Sequence, residues 1–346
     1  ERLWFLDGLQ GSLEYHMPFA LRVTGNLDEK ALSTSLKKVV GRHEVLRTVI
    51  YSEDGVAYQK VVPADNWNLS SKDLSGNTAL LMEDLKAFLS LPFNLAADYM
   101  FRARLYRLGE REYVLAGNFH HISSDGWSQS ILVKEFLQLY RSYSTGKDIE
   151  LPPLSLQYMD YALWQRNHLE GTVIDKQLAY WENTLEGVPP LELPLDYSRP
   201  PVQSIAGANL SIELDSALGS GIRFLGKLEG TTVFMTLLAV FKILLSRYSG
   251  QSDICVGATI ANRGLKEVEG MIGFFVNTLA LRTKVTEDSS FKELLQSVKH
   301  NTLEAYDHQQ VPFEKVVERV VKTRDMSMSP LFQVLFVFQN TQDFTN

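Results

Sequence analysis

The residues best suited to chemistry stand together at His120, His121, Ile122, Ser123, Ser124, Asp125 and Gly126, the run HHISSDG. An imidazole with an unperturbed pKa of ~6.5 can take a proton at neutral pH from a hydroxyl or amine attacking an activated acyl group, while donors elsewhere hold the developing oxyanion. Successive strand residues point to opposite faces, so the two histidines do not enter one cleft together, and His121, at the carboxyl edge of its strand, is the better placed reagent. A histidine beside Phe119 also fits a hydrogen-bonded core imidazole, and Asp125 stands where the N-cap of a helix beginning at Trp127 would stand. Metal chemistry is disfavoured, because adjacent strand histidines diverge and neither an HExxH run nor a cysteine pair supplies further ligands. Ser128 in GWSQS lacks the closing glycine of a nucleophile elbow, and Cys255 lies in an apolar strand with no base nearby in sequence. No GxGxxG or GxxxxGK[ST] run is present. The chemistry that survives is direct acyl transfer, without a metal and without an acyl-enzyme stage.

Such a histidine needs a rigid edge beneath it. FRARLYRL, with Phe101, Ala103 and Leu105 alternating against Arg102, Arg104 and Tyr106, predicts a half-exposed strand, and YVLAGNFH its more buried neighbour. After SSDG the period becomes helical, with Leu132, Phe136 and Tyr140 on one face and Gly146 as a stop. Upstream, PFALRV, a helix over about 28–42 capped by Asp28, and VLRTVIY predict a β-α-β lobe, followed by a second helix near 78–90. Five prolines in LEGVPPLELPLDYSRPP (Pro189, Pro190, Pro194, Pro200, Pro201) predict an extended connector outside the core, crossing between lobes. Beyond it come a strand at NLSIEL, a helix from Asp215, an apolar core helix ending at Tyr248, a strand at DICVG, and the apolar runs FFVNTLALR and LFQVLFVFQ. Two mixed α/β lobes follow, over residues 1–170 and 171–346.

The chain has 346 residues, 45% apolar and 22% charged, the balance of a soluble globular protein of about two domains. Its formal charge of −7 and the absence of any run of lysine and arginine argue against nucleic acid and an anionic membrane surface. The longest apolar stretch, Val233 to Leu245, carries Lys242 and is too short for a span. A single cysteine suits a reducing cytoplasm. Opening on ERLWFL, without signal peptide or initiator methionine, the sequence reads as a domain of a longer multidomain chain, monomeric by itself.

HHISSDG resembles the HHxxxDG motif of condensation domains from non-ribosomal peptide synthetases. ERLWFLDGL at the start, RHEVLRT at Arg42 to Thr48 and YMDYALWQ at Tyr158 to Gln165 resemble flanking motifs of the same family. IGFFVNTL at Ile272 to Leu279, HQQVPFEKVV at His308 to Val317 and RDMSMSPLFQV at Arg324 to Val334 resemble the remaining three. The resemblance implies two chloramphenicol-acetyltransferase-like lobes in a V-shaped pseudo-dimer with the site between them. It also implies formation of a peptide bond from substrates on phosphopantetheine arms, presented by an upstream donor and a downstream acceptor carrier domain, with an adenylation domain adjacent and no cofactor bound by the domain itself. Antibiotics and siderophores are products of such assemblies.

Carried over residue by residue, His121 takes the catalytic part, either removing the amine proton or orienting the amine and stabilising the tetrahedral species. His120 supports it. Asp125 takes a structural part paired with an arginine, for which Arg263, at the end of VGATIANR, is the candidate. Gly126 removes a side chain beside the reacting centre, and its N–H is placed to face an oxyanion. Arg42 and Arg47 of the second motif fit a site role or packing equally. Trp127, Ser128 and Asn277 are further motif or tunnel candidates, whereas Trp4, Tyr161 and Trp164 read as packing. Two departures stand out: Met328 occupies the place of an expected arginine, and family members continue beyond the last motif, so the second lobe reads as incomplete. Epimerisation domains place tryptophan after the serine, but here Trp127 precedes Ser128. Heterocyclisation domains replace the histidines by aspartate, and the DFGWG run of plant-type acyltransferases is missing. A carrier-recruiting module without chemistry remains as the non-enzymatic alternative, and such relatives tend to lose the second histidine.

Overall fold

Both faces of one strand are covered by helices, and that strand ends on His120, the first of the paired histidines. A computed structural model describes residues 2–11, 13–147, 149–204, 206–323 and 325–339. Glu1 of the first motif, Arg324 of the last and the end of the expected second lobe (340–346) lie outside the described residues. The chain divides into two compact units. The first contains residues 2–165 together with 263–275, and the second contains 166–262 and 276–339. The connectivity therefore differs from two consecutive lobes meeting at 170. The stretch 263–275 belongs with the first unit although its sequence neighbours on both sides belong with the second.

In the first unit the elements run α1 (Arg2–Gln10), β1 (His16–Thr24), α2 (Glu29–Arg42), β2 (Thr48–Glu53), β3 (Val56–Val61), β4 (Ser70–Asp73), α3 (Leu81–Leu89), β5 (Phe101–Gly109), β6 (Glu112–His120), α4 (Gly126–Thr145) and α5 (Tyr158–His168), the division falling inside α5. The sheet order is β1-β6-β5-β4, antiparallel except for the β4–β5 pair, with β2 and β3 forming a separate hairpin. Alternation along β6 serves two cores. Tyr113, Leu115 and Phe119 pack with Leu36 and Val39 of α2 and Leu132 of α4, while Val114 and Ala116 pack with Phe88 of α3. A strand covered on both faces has no solvated side, so YVLAGNFH is buried from Tyr113 to His120. β5 is correspondingly more buried than its alternation predicts, because α3 covers Tyr106 completely and its hydroxyl donates to Asp84 at 3.0 Å. Burial pushes that phenol up to about 12. EVLR forms a 3-10 turn over Glu44–Arg47 before β2 begins at Thr48.

The second unit follows with α6 (Thr172–Leu185), α7 (Ser216–Glu229), α8 (Val233–Ser249), β7 (Asp253–Ile260), β8 (Asn277–Lys284), α9 (Phe291–Asp307), α10 (Phe313–Val320) and β9 (Leu335–Phe336). Its sheet has the order β8-β7-β9. Leu238 of α8, Ile254 and Val256 of β7, Leu279 and Leu281 of β8, and Leu295 of α9 make the core. Lys242 is fully buried on α8, where its Nζ donates to Leu281 O and Thr283 Oγ1, both at 2.7 Å.

Four expectations are corrected here. NLSIEL forms no strand, since no partner among the described residues pairs with it and Leu210 and Ile212 are 88% and 77% exposed. The proline-rich segment lies wholly within the second unit, and its Leu191 is core, tied down by an N–H bond to Gln333 Oε1. Only one face of α8 is buried, with Val240, Leu244 and Tyr248 exposed. LFQVLFVFQ contributes only the two-residue β9, paired in parallel with β7. Among the described residues no single helix is long and apolar enough to cross a membrane, although α7 and α8, meeting at 104°, together match that length and composition.

Candidate active site

At the carboxyl end of β6 the chain leaves the ladder after His120, and His121 opens a 3-10 turn over His121–Ser123. The two histidines are separated by this turn and not by strand alternation. His120 keeps its place in the ladder opposite His16 of β1 and is fully buried. Its Nδ1 accepts the Ile122 N–H at 3.1 Å, which fixes the start of the turn. The ring meets His16 and Phe93 edge-on at 6.1 and 5.7 Å. Burial, then the neighbouring His16, His121 and Arg102, hold its pKa down at about 4, so it is a neutral, structural imidazole at pH 7.

His121 is half-buried. Among the described residues no group hydrogen-bonds its buried Nδ1. Its ring stands edge-to-face with Phe274 at 5.0 Å and 85°. Gly126, the first residue of α4, is exposed, and a Cβ built there meets no atom within 4 Å.

Behind His121 lies a dry polar knot. Asp125 caps α4, its Oδ1 accepting Ser128 N–H at 2.8 Å. Arg263 Nη2 reaches Oδ1 and Oδ2 at 3.1 and 3.3 Å, with side-chain exposures of 2% and 3% for the two residues. Arg263 Nη1 donates to the carbonyls of Val268 and Met271, and its guanidinium lies 4.0 Å from the Phe275 ring centre. Burial pulls the Arg263 pKa down, and Asp125 works against that shift. The Ser128 hydroxyl is buried 2.7 Å from Asp125 Oδ1 and accepts from Gly273 N–H and Arg263 Nη2. A hydroxyl so occupied serves packing. Phe275 N–H donates to Asp125 Oδ2 at 3.0 Å, and Tyr158 of α5 donates its hydroxyl to Phe274 O at 2.8 Å.

The remaining candidates are engaged elsewhere. Trp127 is 41% exposed and donates its indole N–H to Glu269 O. Arg42 and the buried His43 both bond Glu135 of α4, at 3.0 and 2.8 Å; burial pushes that carboxyl up, but the His43 and Arg42 contacts outweigh it and leave it below its usual range. Arg47 donates to Val62 O at 2.8 Å. Asn277 lies in the second unit, where its Nδ2 bonds Gln309 O and Val311 O and its Oδ1 accepts Phe313 N–H. Cys255 is buried in β7, and burial pushes its thiol up to about 12, so no thiolate nucleophile forms there. Among the described residues, no group of three or more His, Cys, Asp or Glu side chains is gathered as a metal site would require.

Three residues of this neighbourhood were missed by sequence reasoning: His16, Tyr158 and Phe274. Tyr158 opens YMDYALWQ and Phe274 sits in IGFFVNTL, so both were inside quoted motifs, but nothing in their spacing shows that they meet.

The family model described as Condensation domain matches residues 1–346. The chain is a condensation domain. Condensation domains of non-ribosomal peptide synthetases are amide-bond-forming acyltransferases. A linear gramicidin synthase of Brevibacillus parabrevis is 45% identical over 351 residues, covering 98% of this chain and 4% of its own length. Malpinin synthetase of Mortierella alpina is 41% identical, with shares of 99% and 4%. The condensation domain thus spans only a small part of the curated relatives it matches. Among solved structures, the X-domain from teicoplanin biosynthesis is 30% identical with a TM-score of 0.82, covering 93% of this chain and 72% of its own. The four-domain synthetase holo-AB3403 shares the fold at 24% identity, with a TM-score of 0.86 over 98% of this chain and 26% of its own.

Proposed function

We propose that this condensation domain transfers an acyl or peptidyl group from the phosphopantetheine thioester of an upstream carrier domain to the α-amine of an aminoacyl group on a downstream carrier domain. The amine nitrogen attacks the thioester carbon, the nitrogen loses a proton, and collapse of the tetrahedral species breaks the C–S bond, leaving an amide and a free thiol. His121 takes the amine proton or holds the amine for attack, and the Gly126 N–H faces the developing oxyanion. Asp125, Arg263 and Ser128 keep the turn in place without touching substrate. An adenylation domain adjoins it in the longer chain, the work is cytoplasmic, and the product is a peptide of the antibiotic or siderophore kind.

The observation that carries this reading is the contrast within one motif. His120 and Asp125 are buried and bonded, while His121 is half-buried and its Nδ1 meets no hydrogen-bond partner among the described residues. Both carriers, loaded with their substrates, are mixed with wild type or His121→Ala, and the dipeptidyl product is followed by intact mass. A loss of at least a hundredfold is expected, the order that general acid–base groups contribute, and equal rates would remove His121 from the reaction. The likeness to an X-domain whose structure was solved as a complex with OxyB favours a second reading, a module that recruits a partner. That reading expects carrier binding and no product in the same assay.

A further inference from the structure

His121 has no hydrogen-bonded partner at its buried Nδ1 among the described residues, so its ring orientation is not set as a triad histidine's is, by a carboxylate at that nitrogen. What it does have is the ring of Phe274, edge-to-face at 5.0 Å. The backbone around Phe274 is pinned peptide by peptide. Gly273 N–H donates to Ser128 Oγ, Phe274 O accepts from the Tyr158 hydroxyl, and Phe275 N–H donates to Asp125 Oδ2. A Cβ on Gly273 would lie 2.2 Å from the Tyr158 ring, so the glycine permits that close approach. Three side chains from α4, its cap and α5 thus converge on three consecutive residues, and the middle one contacts the imidazole.

We propose that Phe274 is a positioning residue for His121, the backbone at and beside it held by Tyr158, Ser128 and Asp125 so that an aromatic contact fixes the imidazole orientation. It rests on the reading of His121 as the reagent. Aromatic pairs prefer this edge-to-face geometry, and a ring clamped through its own backbone gives directional support that an aliphatic side chain of similar size would not. The cost of a looser imidazole is expected in the chemical step, because the ring contact is made to the reagent itself.

The test uses the intact domain with both loaded carriers. Phe274→Leu is expected to lower kcat on the order of 10- to 100-fold, the scale of a misplaced reacting group, with KM for each carrier unchanged within twofold. Phe274→Tyr restores kcat, and Tyr158→Phe, which keeps the ring and removes only the bond to Phe274 O, gives a smaller loss in kcat alone. Nitrogen-15 spectra of His121 report the contact without turnover, and its ring resonances are expected to shift and broaden in Phe274→Leu but not in Phe274→Tyr. Unchanged kcat in Phe274→Leu, equal losses in the Leu and Tyr variants, or an unmoved His121 spectrum would each overturn the proposal. Wild-type turnover by His121→Ala would instead overturn the reading beneath it, and the spectrum of Phe274→Leu keeps the two failures apart.

Discussion

Two side chains of one motif meet opposite fates. His120 is held near a pKa of about 4 in the fold against ~6.5 when exposed. Between those values the unfolded chain binds more protons than the native one, so stability falls as pH drops through that window. From this group alone the loss between pH 7 and pH 5 is about 2 kcal/mol, and His16, also shifted down chiefly by burial, adds in the same sense. Unfolding free energies from urea titrations at the two pH values should differ by at least this amount in wild type and by clearly less in His120→Asn; an equal pH response in both proteins would refute the assignment. Asp125 is the second case. Removing its charge strands Arg263 in a dry site, so Asp125→Asn should cost about 3–5 kcal/mol, roughly 10 °C in Tm. An unchanged Tm would mean that the pair contributes nothing to stability. Type and spacing made HHISSDG legible before any coordinates, but the division of labour inside it was not. It depends on the strand ending at His120 and on which nitrogens find partners.

At the scale of elements, α4 and the stretch 263–275 form one construction. The cap at Asp125 and the stop at Gly146, in the left-handed conformation with φ 67°, were readable because capping chemistry is local. Alternation in β6 was readable for the same reason. What failed were elements whose state depends on distant cover: Tyr106 is buried because α3 lies over it, while residues 209–214 alternate like a strand and have no neighbour to pair with among the described residues. Gly273→Ala follows from the construction. Its new methyl meets the half-buried Tyr158 ring, so a loss of about 1–3 kcal/mol is expected from overpacking. Tyr158→Leu should relieve that clash, making the double variant more stable than the sum of the single losses. Strict additivity in denaturant titrations would show that the two residues do not meet.

Across the whole molecule the shifted groups act in concert. Lys242, brought to about 7 chiefly by burial, binds fewer protons in the fold than in the unfolded chain up to ~10.4, so stability climbs with pH through that window. Cys255, raised to about 12, does the reverse above ~8.5 because it ionises first in the unfolded chain. With His120 acting on the acid side, these three groups place the stability maximum between about pH 9 and 10. A denaturation series from pH 5 to 10 checks this, and a maximum at or below pH 6.5 would contradict it. Lys242→Met should flatten the rise above pH 7. The mixed α/β character of both units was legible from periodicity. Their membership was not, because residues 263–275 carry no compositional signal that they pack with residues far upstream. This has a practical side for anyone recombining such domains. A hybrid that joins the first 165 residues to the remainder of a relative does not exchange a self-contained half; it slips foreign residues 263–275 beneath the resident Asp125, Ser128 and Tyr158, and the graft succeeds or fails on whether those three accept the newcomer.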